Sequence, residues 1–393
     1  MIYDALVIGA GPAGATAGLM LARAGWSVAL VEKSSFPRRK VCGEFISATS
    51  LPLLRDLGVA DSFLAQAGPA VREVGLFARE TVLTADMPTA RGFGRALGRE
   101  HLDSLLLDAA TRAGATLFQP WTVARLQRDG ERFVSTMSAK DTVKELAARI
   151  VVAANGSWER SPLPFAQEKP HRPSDLLAFK AHFRESALPA GVMPLLVFPG
   201  GYGGMVHTDG GRVSLSCCIR RDQLRRRRDN GNGGRAADAV FQHILESCTG
   251  AHRALKEARL DGAWLSAGPI RPGIRPRYAR GIFFAGNSAG EAHPIVAEGI
   301  SIAMQSAWLL CRQLIDKEAR AATQSALADI GRAYAKEWET CFATRIRAAA
   351  AFAHLAMRPH ATAAALPLIQ RFPRMLTWGA RLSGKTMQVV PAV

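Results

Sequence analysis

Gly9-Ala10-Gly11-Pro12-Ala13-Gly14 follows directly on an apolar run at residues 3–8, and Glu32 closes the next apolar run, at 27–31. The spacing predicts a buried strand over 3–8, a helix over 13–24 with small residues toward the sheet, and a second parallel strand over 27–31. Each glycine has a task. Gly9 permits the tight turn, Gly11 lets a pyrophosphate approach the backbone, and Gly14 lets helix and strand pack closely. Pro12 and Ala13 open a helix whose unpaired N–H groups face phosphate. Glu32 is placed to accept ribose hydroxyls. Strand, triplet, helix, strand and acid in register point to dinucleotide binding.

The chain has 393 residues, 48% of them hydrophobic, enough for one large core or two interlocked ones. A strand beginning at residue 3 leaves no room for a signal peptide, and no apolar run reaches the ~18 residues of a bilayer span. The expected compartment is cytoplasmic. Cysteines 42, 217, 218, 248, 311 and 341 show no C-x-x-C or His/Cys ligand spacing, so neither a metal site nor a disulfide framework is expected.

The formal charge of +17 favours anionic partners: phospholipid head groups, nucleic acid, an acidic carrier protein or a polyphosphate cofactor. Two places concentrate it. Arg220, Arg221 and Arg225 to Arg228 adjoin a Gly/Asn-rich stretch at 229–234 that reads as a solvated, mobile loop. Beyond Glu339 there is no acid, and Arg345, Arg347, Arg358, Arg371, Arg374, Arg381 and Lys385 alternate with Leu366, Ile369, Phe372, Met375, Leu376 and Trp378. That mixture suits a helix at a membrane surface, or a packed helix with a wet basic face. No helix-turn-helix, OB or RNP-like pattern accompanies the charge, which argues against nucleic acid.

Helical periodicity lapses over 70–92, which reads as a strand pair crossing into another layer, and resumes after Arg99. Strands are predicted at 122–126 and 148–154, the latter stopping at Asn155-Gly156. Residues 176–220 read mostly as strands. Val213, Leu215, Cys217 and Ile219 alternate with Ser214, Ser216, Cys218 and Arg220, which predicts one buried and one polar face, with Cys217 and Cys218 on opposite sides. A short apolar strand at 281–285 runs into Gly286-Asn287-Ser288-Ala289-Gly290. Past Pro294 a helix begins at Glu298-Gly299, its positive end aimed at whatever lies beyond. Further helix is expected over 325–357.

In these motifs and their order the chain resembles the FAD-dependent oxidoreductases of the para-hydroxybenzoate hydroxylase fold, nearest to the geranylgeranyl-reductase-like branch. The resemblance implies that Gly9, Gly11, Gly14 and Glu32 hold FAD, that Arg99 is the flavin-contacting arginine, and that Gly286-Asn287 holds the ribityl chain. Pro294 to Gly299 and Ile300 would pack on the flavin ring. Lys33, Val123 and Gly156 complete the expected cofactor contacts. Phe36-Pro37-Arg38-Arg39-Lys40-Val41-Cys42-Gly43-Glu44 resembles the segment beside the isoalloxazine in the reductases and in flavin-dependent halogenases, which places Cys42 and Gly43 near the ring. The implied fold is α/β: a Rossmann-like FAD-binding domain over 1–69, 93–165 and 270–320, an inserted mostly β substrate domain over 70–92 and 166–269, and a C-terminal helical segment over 321–393.

Departures from the family pattern bear on the reaction. Asn155-Gly156 stands where the aromatic hydroxylases carry Asp-Gly, and Asn287 replaces the late Asp; asparagine keeps a hydrogen-bonding oxygen and loses the charge. The halogenases' Trp-x-Trp-x-Ile-Pro element and catalytic lysine have no counterpart, and of the prenyl reductases' Tyr-x-Trp-x-Phe-Pro only Tyr202 matches. No second fingerprint exists for a nicotinamide, because the glycine clusters at 200–204 and 231–234 lack the strand-to-helix context. NAD(P)H is therefore expected as a transient donor. Glu44 and His293 are the candidate catalytic groups, with Tyr202, His207 and Glu298 beside flavin-facing motifs. The expected activity is hydroxylation of a hydrophobic aromatic or polyketide-like substrate through a flavin hydroperoxide. Reduction of isoprenoid double bonds and halogenation are alternatives, as is a non-enzymatic flavoprotein at a membrane or carrier-protein surface.

Overall fold

The opening apolar run forms the strand Ile2–Ile8, paired in parallel with Val28–Val31 on one side and Thr142–Ala153 on the other. Strands covered on both faces tolerate apolar residues throughout, and Leu6, Val7, Ala29, Leu30, Val151 and Val152 are all buried. The computed structural model describes residues 2–89, 92–156, 170–230, 234–387 and 389–390. Thr116–Phe118 and Ile282–Phe284 extend the parallel array, and Tyr278–Ala279 closes one edge antiparallel. Thr122–Asp129 and Arg132–Ala139 complete eight strands by folding back as a meander onto Thr142–Ala153. The sequence reading finds the first of those meander strands and not the second, whose outer residues are polar. Helix Pro12–Arg23 packs between Arg99–Arg112 and Gly299–Asp316.

A second, seven-stranded sheet runs in the order Arg259–Ile270, Leu176–Arg184, Val213–Arg220, Gly201–His207, Val192–Phe198, Glu73–Ala78 and Thr81–Asp86. The strand pair expected within 70–92 thus belongs to this layer. One face of the sheet, with Val213, Leu215, Cys217 and Ile219, meets Val240, Ile244 and Ala251 of two covering helices. The other face is not wet, contrary to the alternation: Ser214 and Cys218 are both 2% exposed. That face roofs a cavity, so its small polar residues are enclosed. Cys217 and Cys218 belong to packing clusters on opposite sides, and both are free thiols.

The loop expected at 229–234 begins as helix instead. Arg221–Asn230 is a helix, so the first two residues of the expected loop are helical, and 231–233 lie outside the described residues. The C-terminal region starts as part of the first core: Gln324–Ala356 buries Tyr334, Trp338 and Phe342 there, and the Tyr334 hydroxyl donates to the Phe284 carbonyl at 2.8 Å. Pro359–Arg371, Arg374–Ala380 and the turn Arg381–Lys385 then cross to the second sheet, where the Thr377 hydroxyl donates to the Asp86 carbonyl at 2.7 Å. Two of the basic residues expected on a wet face are inside instead. Arg345 is 1% exposed and Lys385 7%. No helix among the described residues is long and apolar enough to cross a membrane.

Candidate functional site

One cavity of about 810 Å³ lies between the two sheets, floored by the fingerprint and walled by the tail helices. Every residue singled out for the cofactor lines it except Gly14 and, within the Pro294 to Ile300 segment, Glu298. Gly14 acts from behind. A Cβ there would stand 1.7 Å from the Gly9 carbonyl oxygen, so helix and strand can close only on glycine. Gly9 itself has φ +95°, in the left-handed region, and a Cβ on it would sit 2.7 Å from the Ala154 carbonyl oxygen.

Glu32 is buried at the end of its strand, where its Oε2 accepts the Ala10 N–H and its Oε1 the Ser34 N–H, both at 2.9 Å. These bonds fix the carboxylate at the cavity edge, as a ribose acceptor requires. Arg99 opens its helix with the guanidinium locked to Asp103 by two hydrogen bonds of 2.7 Å. Its Nη2 is 3.6 Å from where a Gly11 side chain would begin, so a fixed positive charge stands over the phosphate turn. Burial lowers the Arg99 pKa, but the Asp103 charge and hydrogen bond, helped by Cys42, raise it above the ordinary value. Arg38 adds a second cation, 3.8 Å from Glu32 and 3.5 Å from Asp103.

At the opposite end Gly286 has φ +62°, and its N–H donates to Ser306 Oγ at 2.7 Å. The Asn287 side-chain amide donates to Glu291 Oε1 at 3.1 Å. Helix Gly299–Asp316 points its N-terminus at the cavity, and a Cβ on Gly299 would meet nothing within 4 Å. That open, donor-rich approach suits a planar ring that gains negative charge on reduction. The donors, the fixed cation, the glycine cradle and the ribose acceptor together fit FAD. The site's polar lining and its small residues fall where that molecule's phosphates, sugar and ring need them.

The candidate catalytic residues are held differently. Glu44 lines the cavity at φ +64° with its carboxylate fully buried, salt-bridged to Lys180, and 2.7 Å from His182 Nε2. Arg39 Nη2 donates to His182 Nδ1 at 2.8 Å; a guanidinium only donates, so the ring proton sits on Nε2, toward Glu44. Burial pushes the Glu44 pKa up, but the His182 hydrogen bond and the Lys180 charge outweigh it and hold it at about 2. Glu44 Oε1 also accepts the Arg99 N–H at 3.2 Å, which ties this cluster to the start of helix Arg99–Arg112. His293 does not line the cavity. It sits behind Tyr202, its Nδ1 3.1 Å from the Tyr202 hydroxyl, and burial pushes its pKa down to about 4. Tyr202 lines the cavity, and burial raises its pKa well above the ordinary 10. His207 is bound to the Leu188 carbonyl at 2.7 Å, and Glu298 faces away, to Ser47 and Lys385.

Lys180, His182, Lys385 and Arg345 were not singled out for the site. For the first two a signal existed: Lys180, His182 and the terminal Arg184 share one face of a strand, Leu176–Arg184, that is apolar at every other position. For the tail residues none did.

Among curated proteins the chain is 28% identical over 344 residues to conditioned medium factor receptor 1 of Dictyostelium discoideum, a match covering 80% of this chain and 63% of that one. It is 36% identical over 160 residues to geranylgeranyl diphosphate reductase of Rhodobacter capsulatus, covering 40% and 38%. The chain thus spans less than two thirds of the length of either relative. The solved structure of the flavin-dependent brominase Bmp2 superposes with a TM-score of 0.77 over 98% of this chain and 94% of that one, at 20% identity, a likeness of fold. Residues 2–336 match the FAD binding domain family, and with the cradle described above they make the chain a member of that family and an FAD-dependent oxidoreductase in fold.

Proposed function

We propose that the protein is a monooxygenase, fuelled by NAD(P)H, that hydroxylates an aromatic or polyketide-like ring bearing a long apolar tail. One observation supports this reading: beyond the residues expected to hold the flavin, the cavity continues along a wall of Leu76, Val197, Leu366, Ile369 and Leu376. Such a lining binds chain length by excluding water and offers no polar partner. FAD held by the glycine turn, Glu32 and Arg99 would supply the redox chemistry, with NAD(P)H as the source of electrons. The chain's own residues then orient and protect. Tyr202, kept protonated by burial, donates a hydrogen bond to the substrate's phenolic oxygen. His293 remains neutral behind it and sets the hydroxyl's direction. Arg99 and the Gly299 helix end balance negative charge on the cofactor. Glu44 serves by position, holding Lys180, His182 and the Arg99 backbone, because its low pKa leaves no proton to give.

Incubation with NAD(P)H, isotopically heavy oxygen gas and a panel of lipophilic phenols tests the proposal. One labelled oxygen atom in the product supports it; a saturated, unlabelled product replaces it with the second reading, reduction of isoprenoid double bonds. That second reading is favoured by Cys42 and Gly43 at the cavity wall and by the local likeness to a geranylgeranyl diphosphate reductase.

A further inference from the structure

Among the described residues twelve large apolar side chains are exposed, and seven of them fall between Leu355 and Met387. Trp378 is 63% exposed, Leu382 59%, Phe372 53% and Leu368 51%. Solvent-facing apolar residues normally scatter singly over a surface, so this cluster marks a contact face. Arg358, Arg371, Arg374 and Arg381 stand among them, all exposed and without an ion pair among the described residues. No acid occurs anywhere beyond Glu339. Large apolar tips rimmed by arginines that have no carboxylate partner, two of them stacked over Phe372 and Trp378, match an anionic bilayer surface: the tips enter the acyl boundary while the arginines meet head-group phosphates.

The same helices face inward to the cavity. Ala361, Leu366 and Leu376 line it, and Leu355 and Met375 both line it and reach solvent. We infer that the C-terminal helices form a membrane-docking collar around the substrate entrance, so that an apolar substrate passes from an anionic lipid surface into the cavity between Leu355 and Met375. This rests on the reading of the cavity as the site of an apolar substrate. Seven exposed apolar tips on one short stretch of chain favour lipid over an acidic carrier protein, which the arginines alone would serve.

The test is flotation of the FAD-loaded protein, without substrate, on vesicles of phosphatidylcholine mixed with phosphatidylglycerol and on phosphatidylcholine alone. The intact protein is expected to float with the anionic vesicles and to be released by salt. The triple variant Phe372→Ser, Trp378→Ser, Leu382→Ser should lose at least about tenfold in binding, and Arg374→Gln or Arg381→Gln about fivefold each. Unchanged flavin absorption and melting temperature show that the variants are folded. Failure of the intact protein to float, or equal flotation of the triple variant, overturns the inference. Binding to a purified acidic acyl carrier protein, lost with the arginines and insensitive to the serines, overturns it in favour of a carrier. Because no turnover is measured, docking can fail while oxygen insertion succeeds, or the reverse.

Discussion

Lys385 Nζ lies 2.7 Å from Glu298 Oε1, joining the last turn of the tail to the N-cap residue of helix Gly299–Asp316, 87 positions earlier in the chain. The ammonium also donates to the Val296 carbonyl at 2.8 Å and stands over the Phe45 ring at 4.8 Å. Both charges are buried, so each depends on the other. Replacing one partner leaves an uncompensated charge in the interior. Lys385→Met should cost about 3 to 5 kcal/mol of stability. The double variant Lys385→Met, Glu298→Gln should recover most of it, as chemical denaturation will show. A double variant no more stable than the single one would refute the coupling.

Two glycines should respond in opposite ways to the same added methyl. Gly14→Ala places a Cβ 1.7 Å from a backbone oxygen and should prevent folding of the flavin-binding unit, seen as loss of soluble, FAD-containing protein. Gly299→Ala adds a methyl to open space at a helix start and should leave the flavin-free protein as stable as before. If the ring packs on this helix end, as the resemblance implies, the methyl obstructs it, and FAD affinity should fall about tenfold by fluorescence titration, about 1.4 kcal/mol. Unaltered affinity would place the ring elsewhere.

Acid stability should report on Glu44. Its folded pKa, about 2, lies below the ordinary 4.5, so its contribution is present above pH 4.5 and is lost as pH falls toward 2. Linkage makes that about 3 kcal/mol. Glu44→Gln should destabilise the protein at neutral pH and flatten the unfolding profile between pH 4.5 and 2. A variant whose profile keeps the wild-type slope there would show that another carboxylate is responsible.

His293 should act over a different window. Its folded pKa of about 4 is depressed from 6.5, so the unfolded chain takes up the proton first and stability falls as pH drops from 6.5 to 4. His293→Asn removes that slope.

Tyr202→Phe separates orientation from structure. The ring still fills its place, so melting temperature and flavin content should change little. Hydroxylation, measured as labelled product, should fall about tenfold to a hundredfold, with NAD(P)H oxidation continuing uncoupled from product. Full coupling in the phenylalanine variant would remove Tyr202 from the substrate's side of the site.

The local sequence already contains the glycine turn and carboxylate at the cavity floor. Gly9, Gly11, Gly14 and Glu32 are legible because a turn, a phosphate approach and a strand end are short-range demands, met by residue types at fixed spacing. Arg99, Gly286 and the Pro294 to Ile300 segment are legible by resemblance for the same reason. Alternation at 213–220 correctly separates Cys217 from Cys218, but it cannot show that a cavity roof dries the second face. Tertiary structure alone decides which distant charges meet: Lys180 and His182 on Glu44, more than 130 residues away, and Lys385 on Glu298. A basic residue in a tail has the same local sequence whether it faces water or a buried carboxylate. Only the path of the chain over the second sheet, fixed by packing of whole layers, turns Arg345 and Lys385 inward and leaves Arg374, Trp378 and Arg381 facing out.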